Sequence, residues 1–325
     1  MSDAILFGAA FVTVLLLGMP AISALRALSF QKRAYEDAPE SHGVKTGTPT
    51  MGGVLFALVL LALAAYVELT APHTEAARDV VEICLLGLAC GAIGFADDLL
   101  GILRGRNRGL DGRTKYALTA IVALVFLVSI SLFDAQRFPG PAQAFLPAWL
   151  WYGLAFVAVT GTTHAVNLTD GLDGLAAGTI VPPLAVFSWI ALREGWSGVA
   201  AVDLVTIAAV LAFLVYNRYP ARLFMGDTGS LLLGGILAGS AIVLHRVLLL
   251  PLVGAVFAAE ALSVILQVAY FKRTRKRIFK MSPLHHHFEL SGWPETRVTV
   301  WFWAASAACS VAGVATVLAT QAAAP

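Results

Sequence analysis

Charge is what this sequence has least of. Asp, Glu, Lys and Arg together make up 13% of its 325 residues, against about 25% in an ordinary soluble domain. A water-soluble fold of this length needs a more polar surface, and 58% of these residues are hydrophobic. Cysteine is nearly absent as well. Cys84, Cys90 and Cys309 all fall inside apolar stretches, so they read as small buried residues rather than as disulfides or a metal site. There is no internal repeat, low-complexity tract or polar segment long enough to form a separate soluble domain. The N-terminus offers neither a basic leader nor a small-residue cleavage site. The first apolar run is therefore expected to be a retained helix and not a signal peptide.

What remains is a series of long apolar runs. A bilayer core needs about 20 apolar residues per helix. Ten segments qualify, near 4–25, 51–71, 80–103, 116–133, 145–165, 174–192, 197–216, 230–245, 247–270 and 298–320. The expected fold is an all-α integral membrane protein of about ten transmembrane helices, forming one polytopic domain over residues 1–325. The sixth span carries Pro182 and Pro183, which predicts a kinked or broken helix. His245-Arg246, between the eighth and ninth spans, must form a very tight turn.

With ten spans, the loops after the odd-numbered ones share one side, and both termini share the other. Of the 22 Lys and Arg residues, all but Arg78, Arg137, Arg193 and Arg246 lie in or beside the odd loops. Positive charge is retained on the cytoplasmic side, so those loops are assigned there and both termini to the periplasm. The same five loops hold KTGTPTMGG (45–53), FADD (95–98), NLTDGLDG (167–174), NRYPARLFMGDTGS (217–230) and HHHFE (285–289). Polar, glycine-rich segments gathered on one face are the arrangement an active site needs.

Asp97 and Asp98 come late in the third span, which places them at its cytoplasmic end rather than at the membrane midplane. Adjacent carboxylates repel, so either a divalent cation or protonation is expected to relieve them. Asp227 precedes an apolar run whose helix N-terminus suits a phosphate, although an N-cap role fits it too. Asp170 and Asp173 carry the same ambiguity. Five aspartates on one face exceed what caps require, and such oxygen-rich sites suit Mg²⁺ held by one or two carboxylates plus substrate phosphates.

Lys45 and the loop RGRNRGLDGRTK (104–115), which ends at Lys115, can pair with a diphosphate. The cluster KRTRKRIFK (272–280) either attracts anionic membrane lipids or simply anchors its span. Glu260, Ser263 and Gln267, at spacing i, i+3, i+7, share one helix face. A functional carboxylate and a packing role both fit Glu260. The three consecutive histidines 285–287 point about 100° apart on a helix and do not converge on one metal. They are better suited to donating to phosphate oxygens from different directions.

KTGTPTMGG, FADD, NLTDGLDG, MGDTGS and MSPLHHHFELSGWPE together resemble the phospho-N-acetylmuramoyl-pentapeptide transferases of bacterial peptidoglycan synthesis. These belong to the polyprenyl-phosphate N-acetylhexosamine-1-phosphate transferase superfamily. The superfamily shares the aspartate motifs, whereas HHHFE and TPTMGG point to this branch. One departure is visible, Ser282 where alanine is frequent, and it is small enough to leave function intact. The resemblance implies transfer of phospho-N-acetylmuramoyl-pentapeptide from UDP-N-acetylmuramoyl-pentapeptide to undecaprenyl phosphate, giving lipid I and UMP with Mg²⁺ in the bacterial cytoplasmic membrane. It carries over Asp97, Asp98, Asp227 and His285 as catalytic residues and Asp227 as the metal ligand. Substrate binding falls to Lys45, Thr50, Lys115, Asp170, Gly171, Leu172, Asp173, Asn217, Phe224, Gln267 and His286, with Phe224 available to stack on uracil. No nucleic-acid partner is expected, and a homodimer is left open. Two rivals are a related transferase using UDP-N-acetylglucosamine and, from another class, a cation-coupled transporter. A transporter places its coupling acids near the midplane, where here only Glu260 lies.

Overall fold

A computed structural model describes residues 2–28, 47–104, 109–133 and 146–322. Among these residues every helix or strand longer than a single bridge is a helix. In chain order they are α1 (Asp3–Ala27), α2 (Val54–Thr70), α3 (Glu75–Leu103), α4 (Gly112–Phe133), α5 (Ala148–Thr169), α6 (Leu175–Glu194), α7 (Ser197–Asn217), α8 (Gly226–Val243), α9 (Leu250–Val253), α10 (Ala255–Thr274), α11 (Leu284–Glu289) and α12 (Glu295–Ala322). Eight of them (α1, α3, α4, α6, α7, α8, α10 and α12) are long and apolar enough to cross a membrane, and α2 is a shorter apolar helix of 17 residues.

The core is built around α8. All its residues except Asp227 are buried, and it packs chiefly against α3 and α5. Lipid tails are as apolar as leucine, so helices in a bilayer associate through close packing of small residues rather than by escaping water. The α3–α8 seam shows this at Gly94, where a Cβ atom would lie 2.0 Å from the Asp227 carbonyl oxygen. The outer helices behave oppositely. Leu16, Leu132 and Val311, on α1, α4 and α12, are each about 70% exposed, as side chains facing lipid should be.

Capping follows local chemistry. Thr74 precedes α3 and its Oγ1 accepts from the Ala77 N–H at 3.1 Å. Asp111 caps α4, accepting from the Arg113 and Thr114 N–H groups. The Thr114 hydroxyl, which donates to Asp111 Oδ1, does most to hold this exposed carboxyl below the usual carboxylate range, and the backbone N–H groups add to it.

Two expectations are narrowed or corrected. Of a kinked or broken sixth span, the broken alternative is removed: α6 runs as one helix through Pro182 and Pro183. Proline at 183 removes the donor that would have met the Thr179 carbonyl, but the Ser306 hydroxyl of α12 donates to that oxygen at 2.8 Å. The ninth span, by contrast, is not one helix. After the tight turn at His245 (φ +57°) the chain makes a short 3₁₀ turn, then α9 with Pro251 in its first turn, and breaks at Gly254 before α10 starts.

Replacing Gly94 with alanine tests the α3–α8 seam. The new methyl must push α8 outward, costing about 1–3 kcal/mol by overpacking. It should also lower any activity that depends on both helices. Thermal unfolding in detergent, read beside turnover, checks both.

Candidate active site

The five polar loops expected on one face meet at one end of the bundle. The loop before α2 is tied to the loop before α8 by backbone hydrogen bonds from Gly52 N to Phe224 O (2.8 Å), Gly53 N to Met225 O (2.9 Å) and Phe224 N to Pro49 O (2.9 Å). The α5–α6 turn joins the same assembly. Ala221 N donates to Asp173 Oδ2 at 2.9 Å, and Gly174 N donates to Asn217 Oδ1 at 3.1 Å. From the far side Glu295 Oε1 accepts from Asp173 N at 2.7 Å.

At the centre of one half, Asp97, Asp98 and Asp227 converge from α3 and α8. Each offers a carboxylate oxygen lying within 4.8 Å of the others. They are not equivalent. Asp98 Oδ2 accepts from Thr228 N (2.9 Å) and Thr228 Oγ1 (2.7 Å), and its Oδ1 accepts from Asp227 N (3.2 Å). Asp98 thus caps the first turn of α8 from a neighbouring helix, where negative charge meets the positive end of the macrodipole. Asp97 Oδ1 accepts from Leu110 N at 2.8 Å. The Lys115 ammonium lies between the other two, 3.1 Å from Asp97 Oδ1 and in a short contact with Asp227 Oδ2. Asp97, Lys115 and Asp227 are all mostly buried, so this cation offsets repulsion that water screens poorly. Thr50 is buried beside the cluster, and its hydroxyl has no hydrogen-bond partner among the described residues.

The second half is organised by the histidine run. The three rings take different partners and do not converge on one point, although the His285 and His286 ring centroids lie 4.1 Å apart at a tilt of 55°. His287 Nδ1 accepts from Lys280 N at 3.1 Å, and His286 Nδ1 lies 2.8 Å from Glu289 Oε2. His285 is buried, and Glu260 of α10 holds it twice: Oε1 accepts from the His285 backbone N–H at 3.1 Å, and Oε2 lies 3.2 Å from its Nδ1. Its Nε2 has no hydrogen-bond partner among the described residues and points at Gly171, where a Cβ would come within 2.2 Å. Only glycine leaves room for the ring there.

Several predicted site residues prove to carry loop architecture. Asp173 is not the cap of α6; it accepts from Ala221 N. Asn217 bridges Gly174 N and Leu223 O, and Gln267 holds the turn at 278–279 through both ends of its amide. Leu172 packs in a small cluster with Leu175, Val298, Phe288 and Trp293. Asp170 ends α5, and Phe224 is half-buried near the loop surface. Lys45 lies outside the described residues. Of the basic cluster 272–280, Lys280 Nζ donates to Leu290 O and Arg277 to Lys280 O, while Lys272, Arg273, Arg275 and Lys276 are exposed.

Glu260 and Glu295 are the residues that reading the sequence did not assign to the site. The spacing of Glu260 with Ser263 and Gln267 was a signal for a buried face, but nothing in the sequence points to His285 as its partner. Glu295 closes the motif MSPLHHHFELSGWPE, but nothing in the sequence points to Asp173 N as its partner.

Comparison with known proteins places these features in context. Residues 80–245 match the model of glycosyl transferase family 4, and residues 45–56 match phospho-N-acetylmuramoyl-pentapeptide-transferase signature 1. The chain is 42% identical over 307 residues to the phospho-N-acetylmuramoyl-pentapeptide-transferase of Bacillus subtilis (strain 168), covering 94% of each chain. It is 40% identical over 307 residues to the protein of the same name from Geobacillus thermodenitrificans (strain NG80-2), again with 94% of each covered.

Proposed function

Because this chain belongs to the phospho-N-acetylmuramoyl-pentapeptide-transferase family, we propose that it transfers phospho-N-acetylmuramoyl-pentapeptide from its UDP carrier to undecaprenyl phosphate. UMP is released, and the product is lipid I, for peptidoglycan synthesis. The observation that carries this reading is the convergence of Asp97, Asp98 and Asp227 around Lys115 at the end of the bundle where the five polar loops meet. That end is taken to face the cytoplasm, with both termini periplasmic, in a single polytopic domain of the bacterial cytoplasmic membrane. This reading takes α2 and α5 as crossings beside the eight candidate spans, ten in all. The placement of basic residues supports this orientation.

The donor set fits Mg²⁺, a hard cation that takes oxygen ligands and is commonly held by one or two carboxylates with substrate phosphates. Asp227, with Asp97 beside it, would hold the ion, since the Asp98 oxygens already serve α8. When bound, Mg²⁺ would neutralise diphosphate oxygens as charge moves in the transition state. Lys115 offsets the acids and faces the phosphates. His285, held by Glu260, directs Nε2 to the diphosphate. Thr50, Asp170, Gly171, Leu172, Asp173, Asn217, Phe224, Gln267 and His286 frame the nucleotide, with the Phe224 ring against uracil, and Lys45 is assigned to the same substrate on its motif alone.

The reaction is read as a single displacement. An oxygen of the lipid phosphate attacks the donor's β-phosphorus, the bond from that phosphorus to the bridging oxygen breaks, and UMP leaves with that oxygen. A phosphate monoester has a second pKa of about 6, so the nucleophile is already largely ionised at neutral pH. A covalent route through Asp97 or Asp98 adds a carboxylate attack on an anionic centre without removing an obstacle.

Purified enzyme with Mg²⁺ and undecaprenyl phosphate should form lipid-linked product from UDP-N-acetylmuramoyl-pentapeptide and none from UDP-N-acetylglucosamine. The reverse preference would overturn the assignment. In rigorously lipid-free enzyme, radiolabelled UMP should not enter the donor. Exchange at a rate comparable to turnover would establish a covalent enzyme intermediate instead.

A further inference from the structure

One polar side chain next to the acidic cluster has no place in the roles above. His164 lies on α5, half-buried, with its Nε2 fully buried and without a hydrogen-bond partner among the described residues. Its ring stacks on Tyr116 of α4, with centroids 5.7 Å apart and planes 27° from parallel. Tyr116 directly follows Lys115, and the charges that act on the imidazole are those of Lys115 and Asp227. One helical turn further along α5, Asn167 donates to Ser230 Oγ of α8 at 2.9 Å, in the same helical turn as Asp227. This places His164 where α4, α5 and the acidic cluster adjoin.

The opposite direction along the same seam is apolar. Positions 156, 160 and 164 follow each other at four-residue spacing on α5 and so share a face. Phe156, with Tyr152 and Gly153, lines a cavity of about 490 Å³ against Leu124, Leu127 and Val128 of α4. The imidazole therefore stands at the boundary between a charged site and an apolar cleft. A buried imidazole nitrogen with no partner is costly unless something fills its hydrogen bond, and the ligand at such a boundary has a charged head on an apolar chain.

Resting on the transferase reading above, we infer that His164 is a binding and positioning residue for the acceptor lipid: its Nε2–H donates to an oxygen of the polyprenyl phosphate. The neutral imidazole suffices for this in the tautomer that carries its proton on Nε2. Tyr116 fixes the ring plane by stacking. The contact selects for the acceptor and is indifferent to the sugar nucleotide.

The test compares His164→Gln, which returns an N–H near the Nε2 position, with His164→Leu, of similar bulk and without a donor. With undecaprenyl phosphate varied at saturating donor, His164→Leu should raise the apparent KM about tenfold, the size of one hydrogen bond to a charged group. The KM for UDP-N-acetylmuramoyl-pentapeptide should stay within about twofold, and His164→Gln should recover most of the loss. Binding of a short polyprenyl phosphate, but not of the matching polyprenyl alcohol, should weaken in His164→Leu; this readout does not depend on turnover. An unchanged lipid KM, equal changes in both KM values, or a Gln variant as impaired as Leu would each overturn the assignment. Failure of the unsubstituted enzyme to use the lipid at all would instead overturn the transferase reading.

Discussion

Asp227→Asn abolishes transfer, lowering kcat by about 10³-fold or more, and any residual rate loses its ordinary dependence on Mg²⁺. Asparagine keeps the size and one carbonyl oxygen of the side chain but removes the charge that would hold the ion. It also removes the partner of Lys115, whose ammonium then has Asp97 alone. The fold should survive, because α8 is capped by Asp98 through the backbone N–H groups of residues 227 and 228, neither of which the substitution touches. Thermal unfolding near that of the parent, with initial rates measured across a magnesium series, separates chemistry from collapse. Full activity at an unchanged magnesium requirement would remove Asp227 from the metal site.

His285→Ala lowers kcat by about 10² to 10⁴-fold, the range for a positioned acid, base or hydrogen-bond donor. The more informative outcome concerns Glu260. Its carboxylate touches both the backbone and the ring of His285 and is completely buried, so it fixes where Nε2 points. Glu260→Gln keeps an oxygen for one of these contacts and should retain more activity than Glu260→Ala. If Glu260 acts only through the imidazole, the double variant Glu260→Ala/His285→Ala is about as slow as His285→Ala alone. Losses that multiply would show that the carboxylate has a separate role. Comparing kcat with the donor KM in the four proteins decides between these outcomes.

The legibility of the site was uneven, and particular residues show why. FADD and MGDTGS are short local patterns of carboxylates at helix ends, so Asp97, Asp98 and Asp227 stand out from the apolar chain around them. Lys115 was read as a diphosphate partner because its loop is basic. That it sits between Asp97 and Asp227 depends on how α4 stands against α3 and α8, which no local pattern encodes. The motif points to Asp173 and Asn217 as substrate residues, and it does not show that their side chains also tie backbone groups of neighbouring loops. His164 had no sequence signal, since a lone histidine on a helix most often packs.

Composition alone determined the class of this protein. With 13% charged residues, the chain has to place its long apolar runs in lipid as helices, which satisfy their own backbone hydrogen bonds. Alternation of the spans likewise set which loops belong together on one side, because each crossing carries the chain to the opposite face before any helices pack. Tertiary structure decided what those loops do to one another. Asp98 and Thr228 come into contact only because helices far apart in sequence approach closely, as Gly94 permits α3 and α8 to do, and Glu260 meets His285 only because the chain folds α11 back onto α10. The unbroken α6 has the same origin: proline removes a donor locally, and the replacement comes from Ser306 on another helix. Periodicity and charge are properties of a segment, whereas a hydrogen bond between segments requires both to be in place.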